Sequence, residues 1–284
     1  MGLFLLIIIL LALFFLIIDI IDINRFVVRE YNIESEKIDK ETRMVVLADM
    51  HNRQFGKDNV KLVAAIKKLS PDIICCAGDM LTAHVGETKT PPIRLFEQLG
   101  DYPVYYGIGN HEYRLKLYPE NYGDGYSEYL NELKARNVHI LENGSMDIPD
   151  RNITIKGFLM EKKYYMRFEK HEMPVEYVEQ NTGSFDENRY EVLIAHDPYY
   201  FDVYAKTGAD LVLSGHVHGG IMRLPYFGGV ISPRLQLFPK YDGGEFKKNN
   251  TTMILSRGLG CHTLPLRIFN PGELVCITLS PCKK

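Results

Sequence analysis

The sequence predicts an α/β domain behind one N-terminal apolar helix. Three observations predict it. Short apolar, β-branched runs recur along the chain, each about the length of a buried strand. Stretches with helical spacing separate the early runs, and strand-like runs follow one another later. Residues 3–18, "LFLLIIILLALFFLII", contain no polar group. The alternation fits a mostly parallel central sheet, or two sheets packed together between helices.

Taken in order, residues 1–23 read as a membrane anchor. The sixteen apolar residues fall short of the ~20 that cross a bilayer, and adding 19–23 reaches that length with Asp19 and Asp22 near one interface. A cleavable signal peptide would show a basic n-region and a small-residue cleavage site, and neither is present. An uncleaved single-pass anchor in a cell membrane is therefore expected. Arg25, Arg29, Lys37 and Lys40 follow it, which favours the cytoplasmic side, although so short an N-terminal flank gives little contrast. Residues 24–41 are charged without a period and read as a stalk, leaving 42–284 as the folded domain.

"MVVLAD" (44–49) is the first strand. "DNVKLVAAIKKL" (58–69) has helical spacing, with Asp58 as its expected N-cap. "DIICCAGD" (72–79) and "VYYGIGN" (104–110) are strands, and "GYSEYLNELKARN" (125–137) is a helix with basic residues in its last turn. "VHILEN", "ITIKGFL", "YEVLIAHD" (190–197), "ADLVLSGH" (209–216), "TMILSRG" (252–258) and "ELVCITL" (273–279) are further strands. Residues 160–189, rich in charge and tyrosine, and 221–250, rich in glycine and proline, read as binding loops or lids.

Composition excludes some functions. A net charge of −3 gives no basic footprint for nucleic acid. At 46% hydrophobic residues a sizeable core is available. The five cysteines contain no CxxC pair and form no disulfide framework; Cys75 and Cys76 sit inside an apolar run as small core residues.

The strands share one feature: polar residues able to hold a metal stand at their ends. These are Asp49 and His51, then Asp79, then Asn110 and His111, then His196, then His216 and His218. In an α/β sheet the carboxyl ends of strands form the ligand crevice, so these residues should converge. An Asp or His at one strand end is commonly a cap, but independent caps would not repeat this set in this order. Carboxylate, imidazole and amide oxygen without cysteine suit Mn, Fe or Zn. Two such ions ~3.5–4 Å apart clamp the attacking and leaving oxygens of a displacement at phosphorus, and a carboxylate is their natural bridge. Glycines at 78, 109, 215, 219 and 220 let the backbone turn sharply or come close to such a centre.

"DMH" (49–51), "GD" (78–79), "GNHE" (109–112), "HD" (196–197) and "GHVHGG" (215–220) resemble the five ordered blocks of the calcineurin-like metallophosphoesterases. "GHVHGGIMRLPYFGGVISP", "FPKYDGGEF" and "SRGLGCHTLPLRIFNPGELVCITL" are similar to the membrane-associated bacterial branch typified by YkuE and YaeI. The resemblance covers about residues 43–280. It implies a four-layer α-β-β-α sandwich and a metal-dependent hydrolase acting on a phosphodiester or phosphomonoester. Asp49, His51 and His218 would hold one divalent ion; Asn110, His196 and His216 would hold the other. Asp79 would bridge them together with the attacking hydroxide. His111 would stabilise developing charge or protonate the leaving oxygen. Glu112 stands where an Asp is more usual, and is expected behind the ligands. "GDMLTAH" lacks the pattern of protein Ser/Thr phosphatases, which argues against that branch.

Arg223 and Arg234 are candidate phosphate clamps, since guanidinium matches phosphate oxygens bidentately. His262 is a candidate substrate contact from the branch resemblance, whereas His84, His139 and His171 are not expected as ligands. Membrane tethering favours an amphiphilic, lipid-linked or envelope-derived substrate by access alone. The alternative from another class is a non-catalytic scaffold of the same fold that binds a partner.

Overall fold

A computed structural model describes residues 1–166, 169, 171–261 and 265–282. The chain begins with α1 (Gly2–Ile23), β1 (Phe26–Ser35) and β2 (Thr42–Leu47). Then come α2 (Val60–Leu69), β3 (Ile73–Cys76), α3 (Thr90–Gln98), β4 (Val104–Gly107) and α4 (Asn110–Leu117). α5 (Pro119–Tyr122), α6 (Gly125–Lys134) and β5 (Val138–Leu141) complete the first half. The second half holds β6 (Gly144–Ile148), β7 (Ile153–Phe158), α7 (Val175–Thr182), β8 (Tyr190–Ala195), α8 (Phe201–Tyr204) and β9 (Leu211–Ser214). It ends with the short β10 (Arg223–Leu224) and β11 (Gly228–Gly229), then β12 (Gly244–Lys248), β13 (Thr251–Leu255) and β14 (Gly272–Pro281).

Two six-stranded sheets result, in the orders β1-β14-β2-β3-β4-β5 and β12-β13-β9-β8-β7-β6. The inner strands of each are parallel, and antiparallel pairs join β14 to β2, β12 to β13 and β6 to β7. The strands read as unbroken apolar runs because both faces of each sheet are covered. In β2, Met44 and Val46 face the other sheet, packing with Ile155, Val192, Ile194 and Leu213. Val45 and Leu47 face outward, onto Leu62 and Ile66 of α2 and Leu95 and Phe96 of α3. The adjacent thiols divide likewise, Cys75 between the sheets and Cys76 under the helices. The outer face of the second sheet carries Leu193, Val212 and Met253 against Val178 of α7 and Phe201 and Tyr204 of α8. Helix, sheet, sheet and helix make four layers, so the two-sheet arrangement holds.

Two local expectations need correction. Residues 24–41 are more than a stalk leading into the domain, because β1 lies within them and pairs in parallel with β14 from Phe26↔Gly272 to Ser35↔Pro281. It is an edge strand whose Glu30, Asn32 and Glu34 face outward, while Tyr31 and Ile33 reach the inter-sheet core. A strand half in water shows little apolar period in sequence. Asp58 does not cap α2. It takes φ 51° in the turn before the helix, and Asn59 closes that turn by accepting a bond from Phe55 N at 3.0 Å.

α1 is a single helix whose apolar side chains from Leu3 to Ile17 are exposed. Its last turns are not. Asp19 and Asp22 are buried, Asp19 Oδ1 accepting from Arg267 N at 2.6 Å and Asp22 Oδ2 from Asn270 N at 2.8 Å. Phe14 and Phe15 pack their rings on Phe269 at 6.4 and 6.3 Å.

Candidate metal centre

The turns after β2, β3 and β4 of one sheet and β8 and β9 of the other meet at one point. They bring together Asp49, His51, Asp79, Asn110, His111, His196, His216 and His218. Three groups have donor atoms within 4.8 Å of one another: Asp49–His51–His218, His51–Asp79–His111 and Asp79–His196–His216. Asn110 joins the last, its Oδ1 lying 2.7 Å from His216 Nδ1 and 3.1 Å from His196 Nε2. Asp49, His51, Asp79, His216 and His218 all have left-handed backbone, with φ between 47° and 72°. That conformation is sparse for residues with a Cβ, though Asp, Asn and His are enriched among those that adopt it. Strain of this kind collects at functional sites. Two glycines permit the close approach. A Cβ on Gly109 would collide with the Asp79 carboxylate, and one on Gly215 with that of Asp49.

The orientation of each imidazole follows from its other nitrogen. His196 Nδ1 lies 2.6 Å from Ala77 O, so Nδ1 carries hydrogen and Nε2 points inward. Nε2 then faces two oxygens, Asp79 Oδ2 at 3.1 Å and Asn110 Oδ1 at 3.1 Å. His218 Nδ1 sits 3.3 Å from Gly260 O, and its Nε2 faces His51 Nε2 at 3.2 Å. Asp79 Oδ2 is buried, and His51 Nε2 also lies 3.9 Å from it. Lone pairs of oxygen and nitrogen thus converge on a buried centre, which is unfavourable unless positive charge lies among them. Among the protein groups alone, a proton supplies it. Burial opposes a charged His196, but Asp79 and then Asp49 outweigh burial and push its pKa up to about 10. Burial would raise the Asp79 carboxyl too, yet His196, His111 and His51 hold it well below the usual carboxylate range. Asp49, where burial prevails, is pushed up to about 7. Divalent cations meet the same demand with more charge, and displace such protons when they bind. The donor set therefore fits hard to borderline divalent ions.

His111 is set differently. Its Nδ1 accepts from Ala83 N at 2.9 Å, so in the neutral ring Nε2 carries the hydrogen. Burial and neighbouring positive charge lower its pKa, against the pull of Asp79. Glu112 is fully buried beside Asp79. Its carboxylate accepts from Asp79 N at 2.9 Å, Met80 N at 2.8 Å, Gly109 N at 3.1 Å and Tyr106 Oη at 2.7 Å. One side chain thereby ties the turn after β3 to the turn after β4.

Asp197 was legible only as the second letter of "HD". It is buried, accepts from Tyr199 N at 2.9 Å, pairs with Arg234, and stands 3.7 Å from His216 Nε2. The phosphate-clamp expectation for the two arginines meets a different geometry. Arg234 Nη2 also donates to Tyr164 O at 2.9 Å, and its guanidinium lies over the Tyr199 ring at 4.3 Å. Arg223 donates to Gly219 O at 2.9 Å and Asp242 O at 2.8 Å and pairs with the Asp242 carboxylate at 3.1 Å. Both brace loop walls beside the site, their charge already met by protein acceptors. His262 lies outside the described residues. His139 stacks on Tyr105 at 5.3 Å, away from the ligand set.

Comparison with known proteins agrees with this geometry. Residues 42–220 match the family described as calcineurin-like phosphoesterase. An uncharacterized metallophosphoesterase of Campylobacter jejuni is 28% identical over 257 residues, covering 89% of this chain and 63% of its own length. The chain thus spans just under two thirds of that relative. The Bacillus subtilis protein named uncharacterized metallophosphoesterase YkuE is 24% identical, covering 84% of this chain and 78% of its own. A Bos taurus protein named transmembrane protein with metallophosphoesterase domain is 23% identical, covering 84% of this chain and 52% of its own. Five ordered blocks, their convergence on one buried cluster and the match over 42–220 make this chain a member of the calcineurin-like phosphoesterase family.

Proposed function

We propose that the chain is a membrane-anchored phosphoesterase that hydrolyses a phosphodiester or phosphomonoester at a centre of two divalent metal ions. The carrying observation is the Asp79 carboxylate. Its buried Oδ2 lies 3.9 Å from His51 Nε2 of one donor group and 3.1 Å from His196 Nε2 of the other. Asp49, His51 and His218 would hold one ion, Asn110, His196 and His216 the other, and Asp79 would serve both. Bound ions of this class acidify coordinated water and polarise phosphoryl oxygens.

The remaining chemistry belongs to side chains. His111 keeps Nδ1 on Ala83 N, so the neutral ring carries its hydrogen on Nε2, and it belongs to one donor group with His51 and Asp79. That arrangement suits donation of a hydrogen bond to a phosphoryl or leaving oxygen. Full protonation would cost the Ala83 bond, so the charge-stabilising role is favoured over acid transfer. Glu112 holds two ligand turns in register without touching substrate. α1, apolar and exposed over its first four turns and more, supports a membrane span, as does the name of the bovine relative. The cationic flank from Arg25 onward supports a cytoplasmic domain. The folded unit begins at β1.

The test is hydrolysis by the full chain in detergent, supplied with Mn or Zn, of bis-(p-nitrophenyl) phosphate and p-nitrophenyl phosphate. Metal-dependent turnover of either is expected, and the preferred ester assigns the class. Bound metal with no turnover of either would favour a binding scaffold instead.

A further inference from the structure

The segment after the histidine pair exposes apolar side chains that no core absorbs. Leu224, Tyr226, Phe227, Leu235, Leu237 and Phe238 all face outward, Tyr226 at 106% and Phe227 at 74% relative exposure. Single exposed apolar residues are ordinary, but six within fifteen residues form a patch. Tyr226, Leu235 and Phe238 also adopt left-handed backbone, φ 69°, 62° and 47°. Turns in water usually give such positions to Gly or Asn. A groove of about 470 Å³ runs beside the first tip, between Tyr226, Phe227 and Phe269.

The patch is fixed to the surface that α1 occupies. Arg223 N donates to Ile268 O at 2.9 Å, Val230 N to Met222 O at 2.9 Å and Phe238 N to Val230 O at 2.9 Å. Both tips, 224–227 and 235–238, are thus carried on backbone laced to Ile268. The next residue, Phe269, packs on Phe14 and Phe15 of α1. Phe15, Asp19 and Asp22 lie on one stripe of the helix, and that stripe is what residues 267–270 cover. Phe15 stands eight residues before Ile23, so the domain reaches about 12 Å up the helix. The stretch without polar groups, residues 3–18, is about 24 Å long against a hydrocarbon core of ~30 Å, and its end from Phe15 onward already lies beside the domain. A helix that short seats its domain against the lipid.

We propose that residues 224–238 form a membrane-seated rim, whose two apolar tips insert into the headgroup and upper acyl region of the bilayer beside α1. Aromatic and leucine side chains are suited to that depth. The rim follows His218 directly in sequence, so it would open the metal centre towards phosphoesters carried by lipids. The inference rests on reading α1 as a membrane helix.

The chain has no tryptophan, so single substitutions report without background. Phe227→Trp, Leu237→Trp, Leu10→Trp and Asn250→Trp would be made in the full chain. Leu10 lies in α1, and Asn250 is exposed on the turn entering β13, at the end of that strand away from the metal centre. Each protein would be reconstituted into phosphatidylcholine vesicles with plain or brominated acyl chains. The proposal expects bromine quenching and blue-shifted emission at Phe227→Trp, Leu237→Trp and Leu10→Trp, with neither at Asn250→Trp. Quenching at Leu10→Trp alone would overturn the rim and leave the anchor standing. A blue shift at the rim without quenching would mean that another protein surface covers it, which also overturns the proposal. No quenching at Leu10→Trp would remove the anchor, and the rim with it.

Discussion

His111 and Glu112 are neighbours in the "GNHE" block and do different work. His111 accepts at Nδ1 from Ala83 N and so carries its hydrogen on Nε2, whereas both oxygens of Glu112 accept from backbone N–H groups of the turns after β3 and β4. His111→Ala should therefore leave metal content and fold intact while lowering kcat by about 10²–10³, the usual cost of removing one donor to developing charge. Steady-state kinetics with metal analysis on one preparation checks this, and loss of metal along with rate would instead place His111 among the ligands. At this scale the sequence was most legible. Asp, His and Asn at strand ends announced themselves because few other reasons put that set there repeatedly. Asn270 and Arg267 did not, because their work is done through backbone carbonyls and amides, and Asp197 did not, because its partner Arg234 is distant in sequence. Asn270 Nδ2, for instance, holds His218 O at 2.7 Å, and no residue type advertises such a bond in advance.

Among the elements, β2, β3, β4, β8 and β9 were readable as apolar runs since both their faces are covered. β1 was not, being an edge strand with one wet face. α1 was readable as an apolar helix, but its docking was not. The two acids that seemed only to interrupt the hydrophobic run are used as backbone acceptors for Arg267 N and Asn270 N. Removing both, as Asp19→Ala with Asp22→Ala, leaves two buried N–H groups unmet, at about 1–3 kcal/mol each. Hydrogen exchange at the Arg267 and Asn270 amides should accelerate in that variant, while α4 amides keep wild-type protection. Unchanged exchange at both amides would show that the helix end does not hold this segment.

The whole molecule is two sheets whose turns face one another across a buried polar cluster. Alternation of strand and helix narrowed the fold to two architectures, and the ordered blocks selected the sandwich. The loops between 160 and 250 resisted reading because their positions are set by contacts distant in sequence, such as Arg234 with Asp197 and Met222 with Ile268. Asp49 and Asp79 are buried together, and the positive charge they call for is met by a proton on His196 or, with more charge, by bound cations. That bound cations meet it is the central claim, and metal stoichiometry tests it most directly. Full-length protein would be purified in detergent, stripped with chelator, reloaded with Mn, Fe or Zn, and analysed beside Asp79→Asn. We predict about two ions per wild-type chain, as a paired-ion site requires, and loss of tight binding at both positions in the variant. One ion or none in the wild type, or two retained in Asp79→Asn, would contradict it.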